Sequence, residues 1–133
     1  MIKRLGLTFA ALLAALGMTM SFAPAAMASN GGSNGCTFIH IEYDGTNHNG
    51  SRYVKWVEVS NINSRCSYYG HHQIRDEWTG NSWNGGTGQP APTFRIDVWA
   101  LKGINVQSYC GRGWQNNGGG NFTLRGAPCA TVV

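Results

Sequence analysis

FRIDVWAL, at residues 94–101, has an apolar side chain at every second position, with polar Arg95 and Asp97 between the first three of them. Successive side chains of a β-strand point to opposite faces, so this period of two predicts a strand with one buried face. The inward set is Phe94, Ile96, Val98 and Ala100, and the outward set is Arg95, Asp97 and Trp99. This segment is the clearest strand of the chain.

The same period recurs upstream and predicts a hairpin. Residues 37–43 (TFIHIEY) place Ile39, Ile41 and Tyr43 on one face, and residues 44–51 are turn formers that lead into a second strand at 52–60. In that strand Val57 and Val59 mark the core face, whereas Val54, Trp56 and Glu58 fall on the opposite face. Weaker strands are predicted at residues 73–78, 104–109, 121–125 and 129–133.

Seven short strands joined by Gly- and Asn-rich turns define the predicted fold class. After residue 28, no stretch shows an apolar period of 3.6 over ten residues, so the pattern favours an all-β domain. We predict a small disulfide-stapled antiparallel β-sandwich, immunoglobulin-like in its general architecture. A small closed barrel is the alternative.

The first 28 residues have the three parts of a secretory signal peptide. Lys3 and Arg4 supply positive charge, residues 5–22 are apolar, and Ala26-Met27-Ala28 is a small-x-small cleavage site. A retained membrane anchor is the alternative, because residues 5–28 are almost long enough to span a bilayer. No charged stop follows the apolar run, so we expect cleavage after Ala28 and secretion to the extracellular space.

The part that follows the signal peptide is predicted to be one domain with a flexible start. Residues 29–35 (SNGGSNG) are polar and glycine-rich, which predicts a disordered lead-in. The single β domain is predicted to span residues 36–133. Its length fits one hydrophobic core and leaves no room for a second domain.

All four cysteines lie in the exported part and predict two disulfides. A zinc site would need two close pairs such as C-x-x-C, which the spacings do not supply, so we predict no metal site. Folding the first hairpin brings Cys36 near Cys66, and the excursion after Cys110 can close onto Cys129. We therefore predict the pairs Cys36–Cys66 and Cys110–Cys129 among the three possible pairings.

The charge pattern argues against nucleic acid as a partner. Without Lys3 and Arg4, eight basic and six acidic residues remain, a net charge of +2, and no two basic residues are adjacent. Nucleic-acid-binding proteins usually concentrate Lys and Arg on one face or in one run. The chain also lacks a G-x-S-x-G elbow and a phosphate-binding loop, so we predict no cofactor. After residue 28 no apolar run is long enough to span a bilayer, so we predict no membrane partner after signal cleavage.

Three short segments of the second half carry a resemblance. They are Gly70-His71-His72-Gln73-Ile74, Tyr109-Cys110-Gly111-Arg112-Gly113-Trp114 and Gly126-Ala127-Pro128-Cys129-Ala130-Thr131-Val132. This pattern resembles a loose group of short secreted actinobacterial proteins of unassigned activity. The resemblance implies export and a disulfide near the C-terminus, and it transfers no catalytic residue.

Two clusters of titratable residues are candidate catalytic sites. His71 and His72 precede Asp76 and Glu77, but adjacent residues of a regular strand face opposite ways, so solvated polar residues are the simpler interpretation. His40 and Glu42 share a face, and a cross-strand Lys55 or Arg52 would complete a His/Glu/Arg set. An exposed polar strand face gives the same pattern, so no catalytic residue is predicted.

The tryptophans give the functional hypothesis. Trp78, Trp83 and Trp114 fall at strand ends or in Gly/Asn-rich loops, where flat rings beside amide and carboxylate groups suit a sugar. Packing in the core is the competing explanation for these large side chains. The leading prediction is a secreted non-enzymatic protein that binds an extracellular polymer or protein, with a glycan as the first choice.

Two other functions stay open at this point. An inhibitor of an extracellular hydrolase would present a rigid loop, for which residues 79–92 are the candidate. A small secreted hydrolase or toxin would use the histidines. The sequence does not choose between these functions and polymer binding.

Overall fold

The computed structural model describes residues 27–133, and within them nine β-strands and one short 3₁₀ helix, Ser64–Cys66, account for the regular structure. The strands are β1 (Met27–Asn34), β2 (Thr37–Asp44), β3 (Ser51–Asn61), β4 (Gly70–Asp76), β5 (Ser82–Asn84), β6 (Phe94–Gly103), β7 (Ser108–Asn116), β8 (Phe122–Gly126) and β9 (Cys129–Thr131).

The strands form two antiparallel sheets that pack face to face. The first sheet has the order β1-β2-β3-β6, and the second has the order β5-β4-β7-β8 with β9 also paired to β7. The predicted all-β sandwich is therefore confirmed, with nine strands in place of seven. The two additional strands are β1 and β5, which occupy segments that the sequence predicts to be a lead-in and a loop.

The core lies between the sheets and uses the apolar faces that the alternation predicts. The alternating residues of β2 are buried, as are Val57 and Val59 of β3, and the partly buried apolar side of β6 packs against them. The second sheet adds Ile74 and Tyr109. The fully enclosed members of this cluster are Ile39, Ile41, Val54, Val57, Val59, Ile74 and Val132.

The face predicted for Val54 is wrong, and a β-bulge is the reason. The register of β3 against β2 shifts between Val54 and Trp56, so Lys55 is an extra residue of β3 with no partner in β2. An extra residue reverses the alternation beyond it, which allows Val54 to be buried on the same side as Val57. Trp56 stays on the outer face.

The N-terminal strand differs from the disordered lead-in predicted at residues 29–35. Residues 27–34 pair with β2 along their whole length, and a two-residue turn with Gly35 at a φ of 56° connects the two strands. Pairing uses backbone groups, so a polar, glycine-rich segment can join a sheet whose edge is already formed. The predicted signal peptide lies, apart from its last two residues, outside the described residues.

The longest strand of the second sheet, β7, begins at Ser108, near the end of the strand predicted at residues 104–109. Residues 104–106 form a turn instead of a strand, and the pairing starts at Ser108 and continues through the glycine-containing segment to Asn116. Glycines at 111 and 113 lowered the apparent strand signal. At Gly111 the absent side chain is required, because a Cβ there would lie 2.6 Å from Cγ2 of Val59 in the first sheet.

Each sheet holds one of the two predicted disulfides. Cys36 is joined to Cys66 beside β2 and β3, and Cys110 is joined to its direct cross-strand partner Cys129 between β7 and β9. Both pairings agree with the prediction from sequence. Disulfides persist in oxidising compartments, so the pair of bridges indicates such an environment. Within residues 27–133, no helix is long and apolar enough to cross a bilayer.

Candidate functional site

The outer face of the second sheet carries a contiguous set of aromatic and apolar side chains. We call it the aromatic face and define it by Tyr69, His71, Trp114, Phe122 and Leu124. Trp114 pairs with His71 on one side and with Leu124 on the other, so the three side chains form one row. Phe122 meets the His71 ring edge-on at 5.6 Å between centroids. Tyr69, half exposed, precedes β4 opposite Asn116.

The local sequence explains how these side chains meet. In β4, residues 72, 74 and 76 are buried, which sends the odd-numbered residues outward. A tight turn with positive φ at Gly118, Gly119 and Gly120 folds β8 back on β7. The turn brings Phe122 opposite Asn116 and Leu124 opposite Trp114.

The aromatic face is open to solvent and shallowly concave. Tyr69, Phe122 and Leu124 are each about half exposed, and His71, Trp114 and Phe122 enclose a depression of about 210 Å³. Exposed apolar side chains that lie singly need no explanation, but a contiguous group marks an interaction surface.

A row of hydrogen-bonding side chains borders the aromatic face. Gln73 donates from Nε2 to Oδ1 of Asn84 at 2.9 Å, and Arg112 donates from Nη1 to Oε1 of Gln73 at 3.3 Å. We call Asn84, Gln73 and Arg112 the amide row. Its mutual bonds hold the side chains in place while donors and acceptors are left over for a ligand.

The aromatic face is uncharged near neutral pH. Burial lowers the pKa of His71, which favours the neutral imidazole. Arg112 of the amide row, two residues before Trp114 on β7, supplies a positive charge at its border. The arrangement is therefore suited to a neutral ligand with one apolar surface and several hydroxyl or amide groups.

The three predicted ligand-binding tryptophans lie in three different places. Trp114 belongs to the aromatic face. Trp78 is in the turn between β4 and β5 and is 70% exposed, whereas Trp83 of β5 pairs with buried Ile74 and so points to the inner side of the second sheet. The structure does not bring them together in one platform.

The outer face of the first sheet holds the set proposed around His40 and Glu42. His40 Nε2 lies 3.2 Å from Glu42 Oε2, as their shared face predicts. The cation next to them is Arg95 of β6, not Lys55 or Arg52, and it donates two hydrogen bonds to Oε2 of Glu58 at 3.0 and 2.7 Å.

Trp56 lies at the centre of this set. The His40 ring stacks on Trp56 at 5.0 Å between centroids, and the Arg95 guanidinium lies 4.0 Å from the centroid of the same ring. We call His40, Glu42, Trp56, Glu58 and Arg95 the charged face. Its groups satisfy one another, which is the arrangement of a stabilising surface cluster.

The histidine pair of β4 separates as strand geometry predicts. His72 is fully buried and His71 is half-buried. His72 donates from Nδ1 to the carbonyl oxygen of Pro92 at 2.7 Å. The prediction that these are solvated polar residues is thus wrong for His72, and also for Asp76, which is 3% exposed. Both side chains are buried inside the domain.

Three members of the aromatic face stand outside the residues that the sequence marks as functional: Tyr69, Phe122 and Leu124. The pairing of β8 with β7 brings Phe122 and Leu124 beside Trp114, and the pairing of β4 with β7 brings Tyr69 opposite Asn116. The alternation of Phe122 and Leu124 was a usable signal. Within residues 27–133, no group of three His, Cys, Asp or Glu side chains is arranged to hold a metal ion.

Comparisons with known proteins do not assign a family to this chain. It matches no protein-family model, no curated protein and no solved structure. The function must therefore be inferred from the geometry of its own surfaces.

Proposed function

We propose that this is a secreted, non-enzymatic protein that binds a neutral glycan through the aromatic face. The observation that carries the proposal is the contiguity of Trp114, His71, Phe122 and Leu124 beside the amide row. Aromatic rings cover the C–H faces of sugar rings, and neighbouring amides read their hydroxyl groups. A β-sheet provides a nearly planar support for such a surface.

The charge of the face supports a neutral polysaccharide over a protein or an anionic polymer. An anionic chain would need several cations, and the face and its border supply only Arg112. A protein interface of standard size would need about 800 Å² on each partner. Stacked rings bordered by amides match a flat chain of sugar units more directly.

Secretion is part of the proposal. The charge, apolar run and small-residue site of residues 1–28 support export, and the two disulfides fit an oxidising compartment. The exported protein is expected to begin at Ser29. An intact mass that includes Met1, found in a membrane fraction, would contradict cleavage.

The binding proposal is tested by pulldown on insoluble polysaccharides such as cellulose, chitin and xylan. Trp114→Ala should weaken binding by about 1 kcal/mol or more, because the ring is at the centre of the surface. Trp78→Ala is the matched control, since it removes an equally large and more exposed ring outside the aromatic face. Equal binding by both variants and the unmodified protein would refute the assignment of this face.

A further inference from the structure

A second recess lies on the opposite side of the second sheet, where its edge strand β5 faces the edge strand β6 of the first sheet. It has a volume of about 260 Å³, and we call it the inter-sheet groove. Its walls include Asp76, Trp83 and Tyr109 from the second sheet and Ile96, Val98 and Lys102 from the first. The groove shares no lining residue with the aromatic face.

Two buried polar groups in the groove have hydrogen-bonding capacity left over. Asp76 is 3% exposed, and its Oδ1 accepts from the backbone N–H groups of Trp78 and Thr79 and from Nε2 of Gln107. Within residues 27–133, no donor is bonded to Oδ2 of Asp76. Tyr109 is 1% exposed, and its hydroxyl has no hydrogen-bond partner in the same part of the chain.

These groups are reached from the groove and are not sealed in the core. Among the described residues, the only side-chain polar atom that is both fully enclosed and unpartnered is Oγ1 of Thr37. Oδ2 of Asp76 and the hydroxyl of Tyr109 therefore face the space that their side chains line. Because they open onto the groove, these two atoms can bond to water or to a ligand that enters it.

The other side chains that line the groove indicate which further groups a ligand should carry. Trp83 offers a ring that is 38% exposed, and the partly buried Ile96 and Val98 form an apolar wall in the first sheet. Lys102 adds a donor at the rim. Burial and the nearby carboxylate of Asp76 raise the pKa of Tyr109, so its hydroxyl stays protonated and can donate as well as accept.

We propose that the inter-sheet groove binds one sugar ring, held by stacking on Trp83 and by hydroxyl contacts to Asp76 and Tyr109. A sugar ring combines apolar C–H faces with hydroxyls that both donate and accept, which matches the mixed walls. Its size also fits, since the groove is smaller than the roughly 300–1,000 Å³ of pockets for drug-sized ligands. Asp97 also lines the groove, and the two carboxylates of Asp76 and Asp97 make a simple amine the competing ligand.

The site is independent of the aromatic face. That face supports the flat side of a polymer, whereas the groove admits a single unit, such as a chain end or a free monosaccharide. The two proposals can therefore fail separately.

The experiment is an NMR titration of the purified, ¹⁵N-labelled protein with methyl glycosides of glucose, galactose, mannose and N-acetylglucosamine. The reporter is the indole N–H signal of Trp83, assigned with Trp83→Phe. At least one glycoside should shift this signal saturably. The absence of any shift across the panel would overturn the proposal, as would a larger shift with butylammonium.

Two conservative variants test the named contacts. Tyr109→Phe removes only the unpartnered hydroxyl, so the melting temperature should stay equal or rise while affinity falls about tenfold. Asp76→Asn retains an Oδ1 acceptor for the turn and replaces Oδ2 with a donor, and it should weaken binding by a similar factor. Ile62→Ala, which trims an exposed apolar side chain outside both surfaces, is the control and should bind the glycoside as the unmodified protein does. Unchanged affinity in both Tyr109→Phe and Asp76→Asn would refute the site.

Discussion

The outer faces of the two sheets each present a tryptophan, but the two rings have different surroundings. Trp56 of the first sheet is covered by the His40 ring and the Arg95 guanidinium, and Arg95 is in turn held by Glu58. Trp114 of the second sheet has neighbours beside it, and within residues 27–133 no guanidinium or aromatic ring stacks on it.

The difference shows that an outward tryptophan is not by itself a binding residue. On the charged face, the His40 ring and the Arg95 guanidinium cover Trp56, so that ring has its contacts without a ligand. On the aromatic face, the ring and its apolar neighbours remain available. The cross-strand neighbours of a tryptophan depend on the order of the strands in the sheet. These neighbours determine whether the protein covers the ring or leaves it available to a ligand.

The largest expected effects come from removing the disulfides. Each sheet holds one of them, so the two removals also compare the sheets. Replacing Cys36 and Cys66 by Ser, or Cys110 and Cys129 by Ser, should lower the free energy of unfolding by roughly 3 to 4 kcal/mol in each case. The closed segments differ only modestly, at separations of 30 and 19 residues. Urea unfolding followed by circular dichroism measures both.

This result sharpens the comparison of the sheets, since it separates stability from binding. Below their melting temperatures, both double variants should still bind the polysaccharide, because neither disulfide includes a residue of the aromatic face. Loss of binding by the folded Cys36→Ser/Cys66→Ser protein would place the ligand surface on the first sheet and contradict the assignment.

The two tryptophan substitutions compare the faces directly. Trp56→Ala should lower the free energy of unfolding by about 2 kcal/mol, because it removes a half-buried ring together with its stacking partners. It should leave polysaccharide binding unchanged. Trp114→Ala should have the opposite profile, with weaker binding and a smaller loss of stability. Identical profiles for the two variants would remove the distinction.

Arg95→Ala should have a smaller effect, about 1 kcal/mol of unfolding free energy, because it removes a cation–π contact and a hydrogen-bonded ion pair. It should also increase acrylamide quenching of tryptophan fluorescence by uncovering Trp56. Arg75→Ala is the matched control, since Arg75 pairs with Glu77 at 3.2 Å. If Arg75→Ala is equally destabilising, the contact of Arg95 with Trp56 adds no unfolding free energy beyond that of an ordinary surface ion pair.

The sequence was sufficient for the parts of the fold that depend on local periodicity. The alternation at residues 94–101 and 37–43 predicted two strands and their core faces, and the hairpin order predicted both disulfide pairs. Strand β1 was missed because its pairing depends on the edge of β2 and not on its own side chains. Val54 was misplaced because a bulge is a property of two paired strands.

The candidate site was predictable only in part for the same reason. The sequence context of Trp114 predicts a binding residue, but its partners Phe122 and Leu124 become neighbours through the pairing of β7 with β8. Trp83, predicted to belong to the same platform, instead faces the inter-sheet groove. Composition identified the kind of surface, and three-dimensional pairing determined which residues share it.

The smallest expected effect is the pH dependence contributed by the two histidines of β4, one on each side of the second sheet. Burial lowers the pKa of His72, although its hydrogen bond to the carbonyl oxygen of Pro92 opposes the shift, and burial also lowers the pKa of His71. The folded state therefore favours the neutral imidazoles. Their contribution to stability is complete above the unfolded-state pKa of about 6.5 and is lost as the pH falls below it.

His72 should dominate this loss, because it is fully buried whereas His71 is only half-buried. Denaturant unfolding at pH 7.5 and pH 5 should show lower stability at the acidic pH, and His72→Gln should reduce the difference more than His71→Gln does. His71→Gln should instead alter the pH dependence of polysaccharide binding, since protonation of His71 places a charge within the aromatic face. If His71→Gln changes the stability profile and leaves binding untouched, His71 supports the sheet and the aromatic face must be redrawn without it.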